Sequence, residues 1–61
     1  MTTLEKKFIK IYANIPLGAR EEICAVVDKQ PLTFYDIYHL IQEKNPMAIH
    51  ALRQLQRLEI I

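Results

Sequence analysis

The chain has 61 residues and a net charge of +1 at pH 7, with 51% apolar and 25% charged residues. This length allows one small domain, the composition excludes a disordered or fibrous chain, and the small charge excludes nucleic-acid binding by bulk attraction alone. No apolar run approaches the roughly 20 residues of a membrane-spanning helix, and the charged N-terminus does not resemble a signal peptide, so we expect a soluble protein with no membrane partner.

The single cysteine and the two histidines indicate neither a disulfide nor a metal site. Cys24 has no second cysteine to pair with and lies between two apolar residues, which is typical of a buried thiol in a reducing compartment. His39 and His50 lie on different predicted elements, without the close pairing of zinc ligands. With one glycine the chain has no glycine-rich phosphate loop, and it offers no nucleophile with a matching base. We therefore expect a cytoplasmic protein that has no cofactor or metal and is not an enzyme.

The first predicted element is a helix over residues 1–15. Thr2 and Glu5 have the spacing of a capping box, and Pro16 predicts the end of the helix. Apolar residues recur with the helical period along one face, namely Leu4, Phe8, Ile11, Tyr12 and Ile15. Such a face is either core or an interface. Because this helix lies outside the predicted core, we interpret it as a dimerisation element.

The second element, over residues 19–28, is predicted as a helix, although a strand stays open. Its apolar residues fit one face of a helix: Ala19, Ile23, Val26 and Val27. The β-branched run "ICAVV" would also suit a short buried strand. Glu21 and Glu22 stand where the N-terminus of a helix favours negative charge, which favours the helix. Pro31 ends the element in either case.

Two more helices are predicted from their starts. Thr33 is a favourable N-cap with Asp36 three residues later. After a short connector, Asn45 is a competent N-cap and Pro46 occupies the first helical position, which tolerates proline. The inner face of the last helix is apolar and consists of Ala48, Leu52, Leu55 and Leu58.

The outer face of the last helix and its entry carry polar and cationic residues. Arginine binds phosphate or guanine, glutamine pairs with adenine, and histidine contacts either phosphate or base edges. The candidate nucleic-acid-binding residues are Lys44, Asn45, His50, Arg53, Gln54 and Arg57. Any amphipathic surface helix has a polar face, so the pattern alone leaves a simple solvated surface open.

The stretch from Pro31 to Ile61 contains two segments typical of a helix-turn-helix, namely "PLTFYDI" as the cap and short helix and "LRQLQRLEII" as the end of a second helix. In these segments it resembles the core of winged-helix transcription regulators, whose second helix is the recognition helix. The resemblance implies an all-α fold in which residues 19–61 form a tri-helical core with DNA as its partner. The family's wing would begin at Ile60-Ile61, so we expect a wingless form with an additional N-terminal helix.

Two departures from the family pattern affect the functional interpretation. Glu59 stands where the family usually has a glycine in a left-handed turn. Pro46, Met47 and Ile49 would present apolar groups to DNA bases, which weakens base recognition and favours a protein contact.

Two functions therefore stay open for a single domain over residues 1–61. The leading hypothesis is a small regulatory protein that binds DNA with its last helix. The alternative is a protein-interaction or homodimerisation module on the same scaffold, without DNA binding. The contact residues expected for a homodimer or another protein partner are Leu4, Phe8, Ile11, Met47, Ile49, Ile60 and Ile61.

Overall fold

The computed structural model describes residues 2–61 and combines helices with a small sheet. Within those residues, three α-helices pack against a two-stranded antiparallel sheet. In chain order the elements are α1 (Thr3–Asn14), a 3-10 helix (Leu17–Glu21), β1 (Ile23–Val27), β2 (Gln30–Thr33), α2 (Phe34–Gln42) and α3 (Met47–Arg57). The prediction of an all-α fold with a tri-helical core over residues 19–61 is therefore wrong. Met1, which the predicted first helix included, lies outside the described residues.

A β-hairpin replaces the helix that was predicted over residues 19–28. Asp28 and Lys29 connect its strands, and both have positive φ angles, 51° and 66°, as a type I′ turn requires. Such a turn matches the twist of the strands and brings Gln30–Thr33 back beside Ile23–Val27. The β-branched run thereby gains backbone pairing together with burial on one face, and this combination outweighs its fit to a helical period.

The hairpin places one face in the core and leaves the other in water. Its buried side chains are Ala25, Val27 and Leu32. Val26 points the other way and is 51% exposed. Val26 lies opposite Pro31 in the register, and proline, which has no N–H, is tolerated there because β2 has no further strand beside it.

The capping boxes predicted for the first helix and for α2 are both confirmed. The Glu5 N–H donates to Thr2 Oγ1 at 3.2 Å, and the Thr2 N–H donates to Glu5 Oε1 at 2.9 Å. Thr33 and Asp36 make the same reciprocal pair, with both distances 3.0 Å. Each box satisfies backbone N–H groups that the start of a helix leaves without intrahelical partners.

α2 and α3 end in the same kind of left-handed turn. Lys44 follows α2 with φ 57°, and Glu59 follows α3 with φ 60°. After α3, the Ile60 N–H donates back to the Leu55 carbonyl at 2.9 Å, and the equivalent bond after α2 has the same length. This is the Schellman arrangement, in which glycine is the usual left-handed residue. Glu59 adopts that conformation at a steric cost that glycine would avoid.

α1 belongs to the core instead of standing outside it. The largest fully buried side chains come from all three helices and are Phe8, Ile37, Leu52 and Leu55. An aromatic contact adds to this packing, since the rings of Tyr12 and Tyr38 lie nearly parallel with centroids 4.5 Å apart. The fold therefore needs α1 to close its own hydrophobic core.

Candidate nucleic-acid interface

The exposed side of α3 carries two arginines and a histidine. The residues that α3 buries are Ala48, Ala51, Leu52 and Leu55, none more than 4% exposed. With 3.6 residues per turn, His50, Arg53 and Arg57 lie on the opposite side of the helix, and all three are exposed. We call these three residues the α3 ridge.

The α3 ridge forms one wall of a groove, and the hairpin forms the other. The groove has a volume of about 300 Å³. Its lining residues are Val26, Val27 and Asp28 from the hairpin and His50, Arg53, Gln54 and Arg57 from α3. The helical wall is basic, whereas Asp28 places one carboxylate on the hairpin wall. An anion in this groove would meet two guanidinium groups on one side and a single negative charge on the other.

The side chain of Gln54 joins the two walls. Its Oε1 accepts a hydrogen bond from the Val26 N–H at 2.7 Å, and its Nε2 donates to the Val26 carbonyl oxygen at 2.8 Å. The carboxamide thus pairs with the outer edge of β1 as the backbone of a third strand would. This contact, which we call the Gln54 clamp, satisfies the N–H and the carbonyl oxygen of Val26 on an otherwise open strand edge and fixes the hairpin beside α3.

The Gln54 clamp changes the role expected for this residue. As a candidate base-contacting residue, Gln54 would need its carboxamide oxygen and nitrogen together to pair with adenine. The structure uses both atoms on Val26, and the side chain is half-buried. Nothing in the helical spacing of Gln54 distinguishes it from its neighbours, because the bonding partner lies 28 positions away in the chain.

Lys44 and Asn45 lie apart from the α3 ridge. Together with Ile49 they line a different groove, of about 430 Å³, formed by α1, the end of α2 and the start of α3. Asn45 Oδ1 accepts a hydrogen bond from the Met47 N–H at 2.9 Å. The helix begins at Met47 with Pro46 as its N-cap, so the predicted N-cap at Asn45 and the predicted first helical position at Pro46 are each one residue too early. The six candidate residues are therefore divided between two surfaces.

The predicted partner-contact residues are also spread over different environments. Phe8 is fully buried in the chain's own core, so its side chain offers no surface to another molecule. Leu4, Met47 and Ile61 are half-buried and pack against the core. Ile11 is half-buried as well. Ile49 and Ile60 are the exposed members, at 49% and 40%.

Two features of the groove were missed at the level of the sequence. One is the hairpin that forms one wall of the groove, and the other is the negative charge that Asp28 places on that wall. The indication was present, since the two residues Asp28-Lys29 separate the apolar, β-branched run "ICAVV" from a second short extended segment. That pattern predicts a hairpin when the intervening pair is taken as a turn instead of as the end of a helix.

Within the described part of the chain, Cys24 and the potential metal-binding side chains do not form a second site. Burial, with a smaller effect from the charge of Asp36, raises the pKa of the Cys24 thiol to about 11, so the thiol stays protonated near neutral pH and is a poor nucleophile. Among residues 2–61, no three histidine, cysteine, aspartate or glutamate side chains come together as metal ligands would.

Comparison with protein-family models, curated proteins and solved structures finds no match to this chain. Among the helices of residues 2–61, none has the length and apolar character needed to cross a membrane.

Proposed function

We propose that this protein binds duplex DNA through the α3 ridge, with Arg53 and Arg57 on phosphates and His50 beside them. The observation that carries the proposal is the convergence of these three exposed side chains on one groove. A guanidinium group is planar and stays charged, and its fork of N–H donors matches a phosphate. Two arginines one helical turn apart can therefore hold the backbone at two points.

The arrangement around the α3 ridge supports the same proposal. The groove is lined by Arg53 and Arg57 against the single acid Asp28, a local charge of +1. α2 and α3 are joined by the short connector of residues 43–46, as in a helix-turn-helix pair. We propose that the resemblance to winged-helix regulators applies to α2 and α3 only. The first helix of the predicted tri-helical core is replaced by a β-hairpin.

Titration of a fluorescent duplex over a series of salt concentrations tests the proposal. Each phosphate contact contributes a slope of about −0.9 in a plot of log affinity against log salt. We expect the double variant Arg53→Ala/Arg57→Ala to reduce the slope by about 1.8 and to weaken binding at low salt. The absence of any salt-dependent binding by the wild-type chain would rule the proposal out.

The matched control is Lys6→Ala/Lys7→Ala. It removes the same two charges from exposed positions of α1, away from the groove. If affinity depends on the α3 ridge, this variant keeps the wild-type slope to within a few tenths. An equal loss in both double variants would point to general charge attraction in place of a defined surface.

A second candidate function is self-association through the groove between α1 and α3. This groove is lined mainly by apolar side chains, including Leu40, Ile41 and Ile49, and Ile49 is 49% exposed there. A second copy of the chain that occupies this groove would bury further apolar surface and so stabilise a small domain. This is the homodimer expected from the sequence.

Measurement of mass in solution by sedimentation tests this second candidate. We expect Ile49→Lys to convert a dimer into a monomer. Leu17→Lys is the matched control, because Leu17 is 76% exposed and lies outside this groove. A wild-type chain that is monomeric at high concentration would refute the proposal.

We also propose a cytoplasmic location, on the ground that Cys24 is the sole cysteine and is a half-buried free thiol. Cell fractionation followed by thiol labelling of the unfolded protein checks this. The expected result is reduced Cys24 in the cytoplasmic fraction.

A further inference from the structure

We infer that the α3 ridge binds the DNA backbone without selecting a base sequence, with the Gln54 clamp holding α3 outside the depth at which bases are read. The inference rests on the proposed DNA binding. It concerns the kind of ligand that the groove accepts, namely the phosphates of a duplex of any sequence.

The first reason is the width of the unit that must approach DNA. An α-helix with its side chains is about 10–12 Å across, and the major groove of B-DNA is about 12 Å wide, so a helix alone fills it. Here the Gln54 clamp holds β1 beside α3 by hydrogen bonds of 2.7 and 2.8 Å. The strand adds its own width on the side of the helix from which the Gln54 side chain reaches Val26. α3 and the hairpin together are too wide to enter the groove side by side.

The second reason is the distribution of polar groups along α3. Recognition helices contact bases mainly with residues near their N-terminus. At that end of α3 the Met47 side chain is half-buried against the core and Ile49 lines the groove beside α1, which leaves His50 as the one side chain of the α3 ridge in the first turn. The two arginines come later, and Arg57 is the last residue of the helix. Their positions suit phosphates along the rim of the groove.

The third reason is that the carboxamide of Gln54, which lines the groove, is already hydrogen-bonded within the protein. Gln54 uses its oxygen and its nitrogen on the backbone of Val26. Leaving this contact for a base would expose an unpaired strand edge on β1. Gln54 is therefore a positioning residue, which acts on DNA only by fixing the hairpin against α3.

Selection from a pool of short duplexes with randomised sequence tests the inference. We expect the bound fraction to show no enriched motif, and individual duplexes to bind within about threefold of one another, a spread that DNA shape alone can produce. Enrichment of a motif would overturn the inference while leaving DNA binding intact. Failure of every duplex to bind would overturn the proposed function and this inference with it.

Hydrogen exchange at the Val26 amide gives a second, independent result. In the free protein Gln54→Met should accelerate exchange at Val26 more than elsewhere, since it removes the acceptor of that N–H. Saturating DNA should leave the wild-type Val26 amide protected. Faster exchange at Val26 in the complex would mean that Gln54 has left the clamp for the DNA, which would overturn the inference.

Discussion

The guanidinium group of Arg20 covers the ring of Tyr12 and also holds the end of α1. Arg20 Cζ lies 4.2 Å from the Tyr12 ring centroid, while Nε and Nη2 donate to the Tyr12 carbonyl oxygen at 3.2 and 2.9 Å. That carbonyl belongs to the last turn of α1, where four carbonyl groups lack intrahelical partners. A residue of the 3-10 helix thus caps α1 and adds a cation–π contact to the aromatic packing.

Loss of Arg20 should destabilise the fold. We expect Arg20→Ala to lower the free energy of unfolding by about 1–2 kcal/mol, because it removes two charge-assisted hydrogen bonds to one carbonyl oxygen together with the ring contact. For a domain of this size that corresponds to a melting temperature lower by several degrees. Arg53→Ala is the matched control, since it deletes an exposed arginine and should change stability by less than about 0.5 kcal/mol. Equal losses in the two variants would contradict the capping role.

Replacement of Glu59 by glycine should stabilise the protein. Glu59 has φ 60°, and a glycine would relieve the left-handed strain at the end of α3. We expect Glu59→Gly to raise the free energy of unfolding by about 0.5–1 kcal/mol, net of the greater freedom of glycine in the unfolded chain. Urea denaturation measures this. Glu59→Ala removes the same charge but keeps the strain, so a comparable gain from alanine would assign the effect to charge.

The capping box of α1 should make stability depend on pH in the acidic range. Hydrogen bonds with Thr2 lower the pKa of Glu5 below the ordinary value of 4.5, and the bond with the Thr2 backbone has a larger effect than the bond with its side chain. The pKa of Glu5 is lower in the folded protein than in the unfolded chain. Ionised Glu5 therefore contributes fully to the free energy of unfolding above pH 4.5, and this contribution is lost as the pH falls through the lowered pKa.

Melting temperatures of the wild type and of Glu5→Gln, measured from neutral pH to acid, test this dependence. We expect the difference between the two proteins to be largest near neutral pH and to shrink on acidification. Glu22→Gln, at an exposed position, is the control for general charge effects and should show a flatter difference. A difference for Glu5→Gln that does not change with pH would contradict the assignment.

Neutralising Asp28 should strengthen DNA binding if the groove holds the backbone. Asp28 places a carboxylate on the wall opposite the α3 ridge, where it would repel phosphate. We expect Asp28→Asn to raise affinity about two- to fivefold at low salt, with a smaller gain at high salt. Asparagine also tolerates the positive φ of 51° at this position. Glu22→Gln removes the same charge outside the groove, and an equal gain there would argue against a local effect.

The helix boundaries at Thr2 and Thr33 were predictable because each depends on residues three positions apart. A threonine oxygen and the carboxylate of Glu5 or Asp36 satisfy the first N–H groups whatever surrounds the helix. The amphipathic character of α3 was equally local for Ala48, Leu52 and Leu55, which are buried as the helical period predicts. Leu58, predicted on the same face, follows the last helical residue and is 59% exposed.

Residues 23–27 could not be assigned in this way. Their apolar spacing fits a helix and a strand about equally. The strand forms because Asp28 and Lys29 adopt left-handed backbone angles, so that the chain turns and Gln30–Thr33 pairs with this segment. The all-α prediction failed at this point, because it weighed the segment without the partner that completes its hydrogen bonds.

The sequence by itself determined where α1, α2 and α3 run and which side of α3 faces water, since those features depend on neighbours within one or two helical turns. Only the tertiary structure decided that α1 closes the core through Phe8, and that Gln54 binds Val26 instead of standing free on the outer face. The physical reason is that the burial of a side chain and its hydrogen-bonding partner depend on the distant segment that packs against it. The spacing of residues along one helix does not identify that segment.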